Sequence, residues 1–179
     1  MKNAFLSKFF IVLLLFSSFP LFADLIKEGI AAPDFCVMSG DGQTLTLGQL
    51  RGKVVVMFYN SKDTTILDSK LRKALNKFYD EQPGDIKAKV FKLAIIDCSS
   101  AFFPIDLVWK QKLIEASKQK NIIIYGDWDG KVAEGYGFNT EQPNVVIIDK
   151  TGIIRFIDNK EITDEKDIRK VEDILKHLI

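Results

Sequence analysis

Apolar runs of strand length alternate along this chain with apolar stripes of helical spacing, and their order outlines a fold. Val54-Val55-Val56-Met57-Phe58-Tyr59 is a continuous apolar run, the pattern of a strand covered on both faces. Leu67, Leu71, Ala74, Leu75 and Phe78 then recur at helical spacing until Gln82-Pro83-Gly84 breaks the stripe. A second buried strand spans Val90 to Ile96, which makes a βαβ unit with parallel strands and a right-handed crossover. Ahead of it, Asp34-Phe35-Cys36-Val37-Met38 and Thr44-Leu45-Thr46-Leu47 flank the turn cluster Ser39-Gly40-Asp41-Gly42 and predict a β-hairpin. Behind it, a helix is expected over Ile105 to Lys120, with Trp109, Leu113 and Ala116 on one face. Ile122 to Tyr125 reads as a short strand and Gly126-Asp127-Trp128-Asp129-Gly130 as a loop. Val145 to Asp149 and Ile153 to Ile157 form a hairpin around Lys150-Thr151-Gly152. A last helix begins near Thr163, with Asp164 and Glu165 favourably placed at its positive end. The sum is one α/β domain with a mixed sheet, parallel first and antiparallel at its end, helices on both faces and an N-terminal hairpin extension.

Residues 1–23 follow a different rule. Lys2 and Lys8 precede the apolar run Phe9 to Phe16, and Ala23 offers a small residue for cleavage, the layout of a secretory signal peptide. The alternative, a membrane anchor, would need about 20 apolar residues, and Ser17, Ser18 and Pro20 interrupt the run well before that. The expected organisation is therefore a signal peptide over 1–23 and one domain over 24–179, exported to the periplasm and not held by the membrane after cleavage.

The chain has 179 residues, 25 Lys and Arg against 24 Asp and Glu, and 47% hydrophobic residues. Losing Lys2 and Lys8 with the leader turns the formal charge of +1 into −1. Such a balance excludes a disordered chain and a polybasic nucleic-acid binder. One histidine and two cysteines leave no chelate spacing, so neither a metal nor a cofactor is expected. The histidine, His177, falls in the final helical turn, where its charge complements the helix dipole.

Four local motifs in order resemble the thioredoxin fold in its peroxiredoxin (AhpC/TSA) and TlpA-like branch. Ala32-Pro33-Asp34-Phe35, Asp41-Gly42 and Leu47-Gly48-Gln49-Leu50-Arg51-Gly52-Lys53-Val54-Val55 are similar to that branch's opening. Asp127 to Ala133 followed by Tyr136-Gly137 is similar to a later segment, Pro143 falls where the family keeps a cis-proline, and Asp149 to Ile154 matches its closing hairpin. Residues 98–112 and the final third further resemble periplasmic YtfJ-type members. The resemblance implies a thioredoxin-like three-layer α/β/α sandwich over residues 31–179. It also implies that the loop of Pro143 lies beside the active-site turn and receives extended peptides.

The departures from that family carry the functional question. Its disulfide-exchanging members place Cys-x-x-Cys after the first central strand; here Asp63 and Ile66 take those places. In the peroxiredoxin pattern Thr64 keeps the threonine, whereas Leu67 stands at the peroxidatic position. A helix N-terminus that would lower a thiol's pKa also suits a carboxylate, so Asp63 reads as a helix N-cap or as a base or partner-recognition group. Cys98 closes a parallel strand at the end where open α/β sheets place ligands. With Cys36 it is open to three readings: small core residues, a disulfide worth on the order of 4 kcal/mol, or a redox role for Cys98. Two functions follow. One is an accessory or binding protein without the family's thiol chemistry, recognising a periplasmic protein or peptide around Asp63, Thr64 and Pro143. The other is an atypical thiol oxidoreductase or peroxidase-like enzyme using Cys98, with or without Cys36. Phe102-Phe103-Pro104 reads as a docking edge or as a lid on the core.

Overall fold

A computed structural model describes residues 26–64 and 69–179. The leader expected over 1–23, and the positions Ile66 and Leu67, lie outside the described residues. The chain runs β1 (Cys36–Ser39), β2 (Thr44–Thr46), a 3-10 turn (Leu47–Leu50), β3 (Val54–Asn60), α1 (Ser69–Asp80), α2 (Gly84–Lys87) and β4 (Val90–Asp97). It continues with α3 (Ile105–Lys120), β5 (Ile124–Asp127), α4 (Lys131–Tyr136), β6 (Asn144–Ile148), β7 (Ile154–Asp158) and α5 (Glu165–Leu178).

The strands form one sheet in the order β2-β1-β5-β4-β3-β6-β7. β3 pairs parallel with β4, and β4 with β5. The hairpin β1–β2 joins antiparallel at one side, and β6 and β7 join antiparallel at the other. This is a thioredoxin-like α/β/α arrangement with the expected N-terminal hairpin. The crossovers through α1 and α3 step the same way across the sheet, so a common handedness lays both helices on one face. There Val54, Val56 and Phe58 of β3 pack with α1 and α5, and Ala94 with Leu113 of α3. The opposite face carries Val55, Met57 and Tyr59 of β3 with Leu93 and Ile95 of β4. Phe35, Leu47, Leu50, Val132 and Tyr136 cover it, drawn from the N-terminal hairpin, the 3-10 turn and α4.

The sequence pattern missed α4, which follows the predicted loop at once. Six residues give too short a stripe to show a period, and glycines bound them in the left-handed region, Gly130 at φ +73° and Gly137 at φ +62°. The sheet margins are modest: β2 has three residues, and β7 shifts register against β6 between Ile147 and Ile148. Among the described residues no helix is long and apolar enough to cross a membrane.

Candidate functional site

The register brings one end of four strands together. Asn60 pairs with Ile96 and Asp97 with Asp127, while antiparallel β6 meets β3 at Tyr59 and Asn144. The exits of β3, β4 and β5 and the entrance to β6 therefore share one edge, and Asp63, Thr64, Cys98 and Pro143 lie along it.

The β3 exit turns over Ser61–Thr64. Thr64 is buried, donates its N–H to the Ser61 carbonyl at 3.3 Å and accepts the Ser61 N–H on its Oγ1 at 3.0 Å. The threonine thus closes the turn instead of presenting its hydroxyl to solvent. Asp63 at the tip is exposed. α1 is described only from Ser69, so the first helical turn that Asp63 was expected to cap lies outside the described residues.

Pro143 is buried at the start of β6. The family resemblance implied a cis bond before it; among the described residues the cis peptide is instead Phe103–Pro104. What shapes the Pro143 loop is its neighbour. The Asn144 amide donates to the carbonyls of Asn139 at 2.9 Å, Gln142 at 2.9 Å and Tyr59 at 3.2 Å, and its oxygen accepts the Asn139 N–H at 3.1 Å. One buried side chain ties this loop to the last turn of β3.

Cys98 is fully buried at the β4 exit. Its N–H donates to the Asp127 carbonyl at 3.0 Å, and its Sγ lies 3.1 Å from where a Cβ on Gly126 would be. Burial, with the negative charges of Asp97 and Asp127 nearby, pushes its thiol up to about 12. A thiol reacts as its thiolate, and here the thiolate is suppressed. Asp127 is also fully buried. Its Oδ2 accepts from the Tyr59 hydroxyl at 3.1 Å and the Ala133 N–H at 3.1 Å, while its Oδ1 has no hydrogen-bond partner among the described residues. Burial raises the Asp127 carboxyl above its ordinary range. Burial and the adjacent Asp127 carboxylate likewise raise the Tyr59 phenol. Asp97 turns back on the chain and accepts from the Ser99 N–H at 2.9 Å and hydroxyl at 2.7 Å.

Cys36 opens β1, whose start lies at this same end of the sheet, and it is exposed and free, as Cys98 is free. Pairing of Met38 with Gly126, extended by two residues, and of Asp97 with Asp127, extended by one, places Cys36 and Cys98 on either side of position 128. Two strand spacings separate them, about 10 Å between Cα atoms, against the roughly 7 Å limit for a disulfide. The Trp128 indole occupies the space over Gly126, its Nε1 donating to the Met38 carbonyl at 2.8 Å. The disulfide considered from sequence is thus absent from this fold.

Phe102 and Phe103, after the β4 exit, are 67% and 78% exposed, so they form an edge and not a lid. Among the described residues no group of three His, Cys, Asp or Glu side chains is arranged to hold a metal ion. Sequence reading missed Tyr59, Asp127 and Asn144. Asp127 had a signal, its place in a resembled motif, but a carboxylate beside glycines reads as a surface turn. Asn144 had none.

The mixed seven-strand sheet, with β3, β4 and β5 parallel at its centre and antiparallel strands at both sides, defines the class: a thioredoxin-fold protein. The AhpC/TSA family model matches residues 29–157, and the chain belongs to that family. Peroxiredoxin Q of the wheat chloroplast (Triticum aestivum) is 23% identical over 159 residues, covering 86% of this chain and 68% of its own. Among solved structures, a Chlorobium tepidum protein assigned as thiol:disulfide interchange protein DsbE superposes with TM-score 0.63 at 16% identity, covering 86% of this chain and 98% of its own. The exposed lipoprotein thioredoxin of Streptococcus pneumoniae gives 0.57 at 23% identity over 82% of this chain and all of its own. The peroxiredoxin-like protein of Aquifex aeolicus also gives 0.57 at 23%, over 86% and 88%.

Proposed function

We propose that this AhpC/TSA-family chain is an exported, periplasmic protein of the YtfJ type that binds a protein or peptide partner and does not turn over thiols. One observation carries the reading. The turn between β3 and α1 holds no sulfur, and the cysteine nearest it, Cys98, is fully buried with its thiolate disfavoured. What this edge offers a partner is the exposed Asp63 tip, the Pro143 loop held by Asn144, and the solvent-facing rings of Phe102 and Phe103. Exposed apolar rings and a charged tip on one sheet edge suit a peptide or protein surface better than a small polar substrate. The leader-like pattern of residues 1–23 supports export.

The purified chain, freed of residues 1–23, is expected to consume no peroxide and to reduce no insulin disulfides above the rate of a Cys36→Ser/Cys98→Ser double variant. Turnover that disappears in Cys98→Ser or Cys36→Ser would replace this reading with that of a thiol oxidoreductase.

A further inference from the structure

A second feature covers the helical face of the sheet. Exposed apolar residues are ordinarily scattered singly, and a contiguous group of them marks a contact. Among the described residues six large apolar side chains are exposed, and five of them fall within seven consecutive positions: Phe102, Phe103, Ile105, Leu107 and Val108. Phe102 and Phe103 close the loop that enters α3. The Asp106 N–H donates to the Phe102 carbonyl at 3.0 Å, which holds that loop against the first helical turn. Leu107 and Val108 look outward from the same turn, while Leu113 packs into the core.

The charge on this face is one-sided. Lys70, Lys73 and Lys77 recur at i, i+3 and i+7 along α1, opposite buried Leu71 and Leu75, and all three are exposed. Lys112, Lys118 and Lys120 are exposed on α3. Among the described residues none of the six takes part in an ion pair. Residues 68–80 and 105–120 together carry eight Lys and Arg against four Asp and Glu, whereas the rest of residues 24–179 carry 15 against 20. A chain with a formal charge near zero thus keeps a positive excess on the face that holds the apolar cluster, and a negative one elsewhere.

We infer that this face rests on an anionic phospholipid surface. Phe102, Phe103, Leu107 and Val108 enter the boundary between head groups and acyl chains, and the α1 and α3 lysines meet the lipid phosphates. Both halves of the surface are needed to select this occupant. A nucleic acid answers the lysines but offers Leu107 and Val108 nothing apolar to enter. A second copy answers the apolar cluster, but a two-fold contact presents the same patch from both sides and sets lysines against lysines. No described helix is long and apolar enough to cross a membrane, so the contact lies on the surface and is reversible. The sequence-based expectation that nothing holds the domain at the membrane after cleavage is revised accordingly. The contact goes beyond the proposed partner binding and calls on neither Asp63 nor the Pro143 loop.

The test is flotation of the chain freed of residues 1–23 with vesicles of phosphatidylcholine, alone or mixed in equal parts with phosphatidylglycerol. Binding to the mixed vesicles is expected to be about tenfold tighter or more, and to weaken as salt screens the lysines. Phe102→Ser/Phe103→Ser and Lys70→Glu/Lys73→Glu/Lys77→Glu, all at exposed positions, are each expected to weaken it about tenfold or more. Should the triple variant not fold, Lys112→Glu/Lys118→Glu is expected to act in the same direction. Equal affinity for the two kinds of vesicle, no binding to either, or indifference to the phenylalanine or the lysine changes would overturn the inference. Displacement by soluble polyaspartate with no effect of the phenylalanine changes would overturn it in favour of an acidic polypeptide. Thiol turnover enters none of these readouts, so this inference and the proposed function can fail separately.

Discussion

Asp127 concentrates the chemistry of the strand edge in one side chain. It is fully buried, with one oxygen held by Tyr59 and Ala133 and the other bare. A bare buried oxygen is tolerable when it carries a proton and costly when it carries charge. Since burial raises the folded carboxyl above its unfolded value, the native state holds a proton that the unfolded chain releases. Stability from this group is complete below the ordinary carboxylate range and declines as pH climbs through the raised folded value. Asp127→Asn, which imitates the protonated form, is expected to flatten that decline. Urea midpoints recorded from about pH 4 to about pH 8 read it out, and a slope unchanged from the parent would show that Asp127 does not retain its proton.

Elements of this fold differ in how openly the sequence declares them. The α3 boundaries predicted from apolar spacing, Ile105 to Lys120, coincide with those observed, and α5 starts one residue after Asp164, whose Oδ1 accepts the Lys166 N–H at 2.7 Å. Long stripes and capping side chains are local signals, so they survive in the sequence. The Asn139–Pro143 loop is the opposite case. Its shape depends on the Asn144 amide reaching back to Tyr59, 85 residues earlier, and no local pattern records such a bond. The same reasoning explains why a proline at 143 suggested a cis bond that the structure does not contain: neighbours in sequence do not fix a loop that a distant strand holds. Asn144→Ala is expected to destabilise the fold by about 1–3 kcal/mol, the cost of stranding the buried Tyr59 carbonyl and untying the loop. Amide hydrogen exchange should rise first at Asn139. A melting curve and exchange pattern matching the parent would mean that the loop is held by something other than Asn144.

At the scale of the molecule, the seven-strand order decides what the two cysteines can do together. Both were legible as residues, but their relation was not, because it depends on β1 docking beside β5 and on Trp128 filling the gap over Gly126. Mild oxidant is therefore expected to produce no internal bridge. Native alkylation should label Cys36 alone, with Cys98 reacting only after denaturation, and intact-mass measurement before and after reduction distinguishes these outcomes. A two-dalton loss on oxidation without any adduct would mean that the sheet can open far enough to bring the pair together.

The sheet's two margins carry a consequence for how copies of the chain meet one another. One is the three-residue strand β2 and the other is the register-shifted β7, with charged Arg155 facing outward. A brief or kinked border gives an incoming strand little to zip onto. Copies crowded together before folding is complete thus meet blunt rims, and the βαβ interior, richest in contiguous valine and isoleucine, is shielded from seeding fibrils.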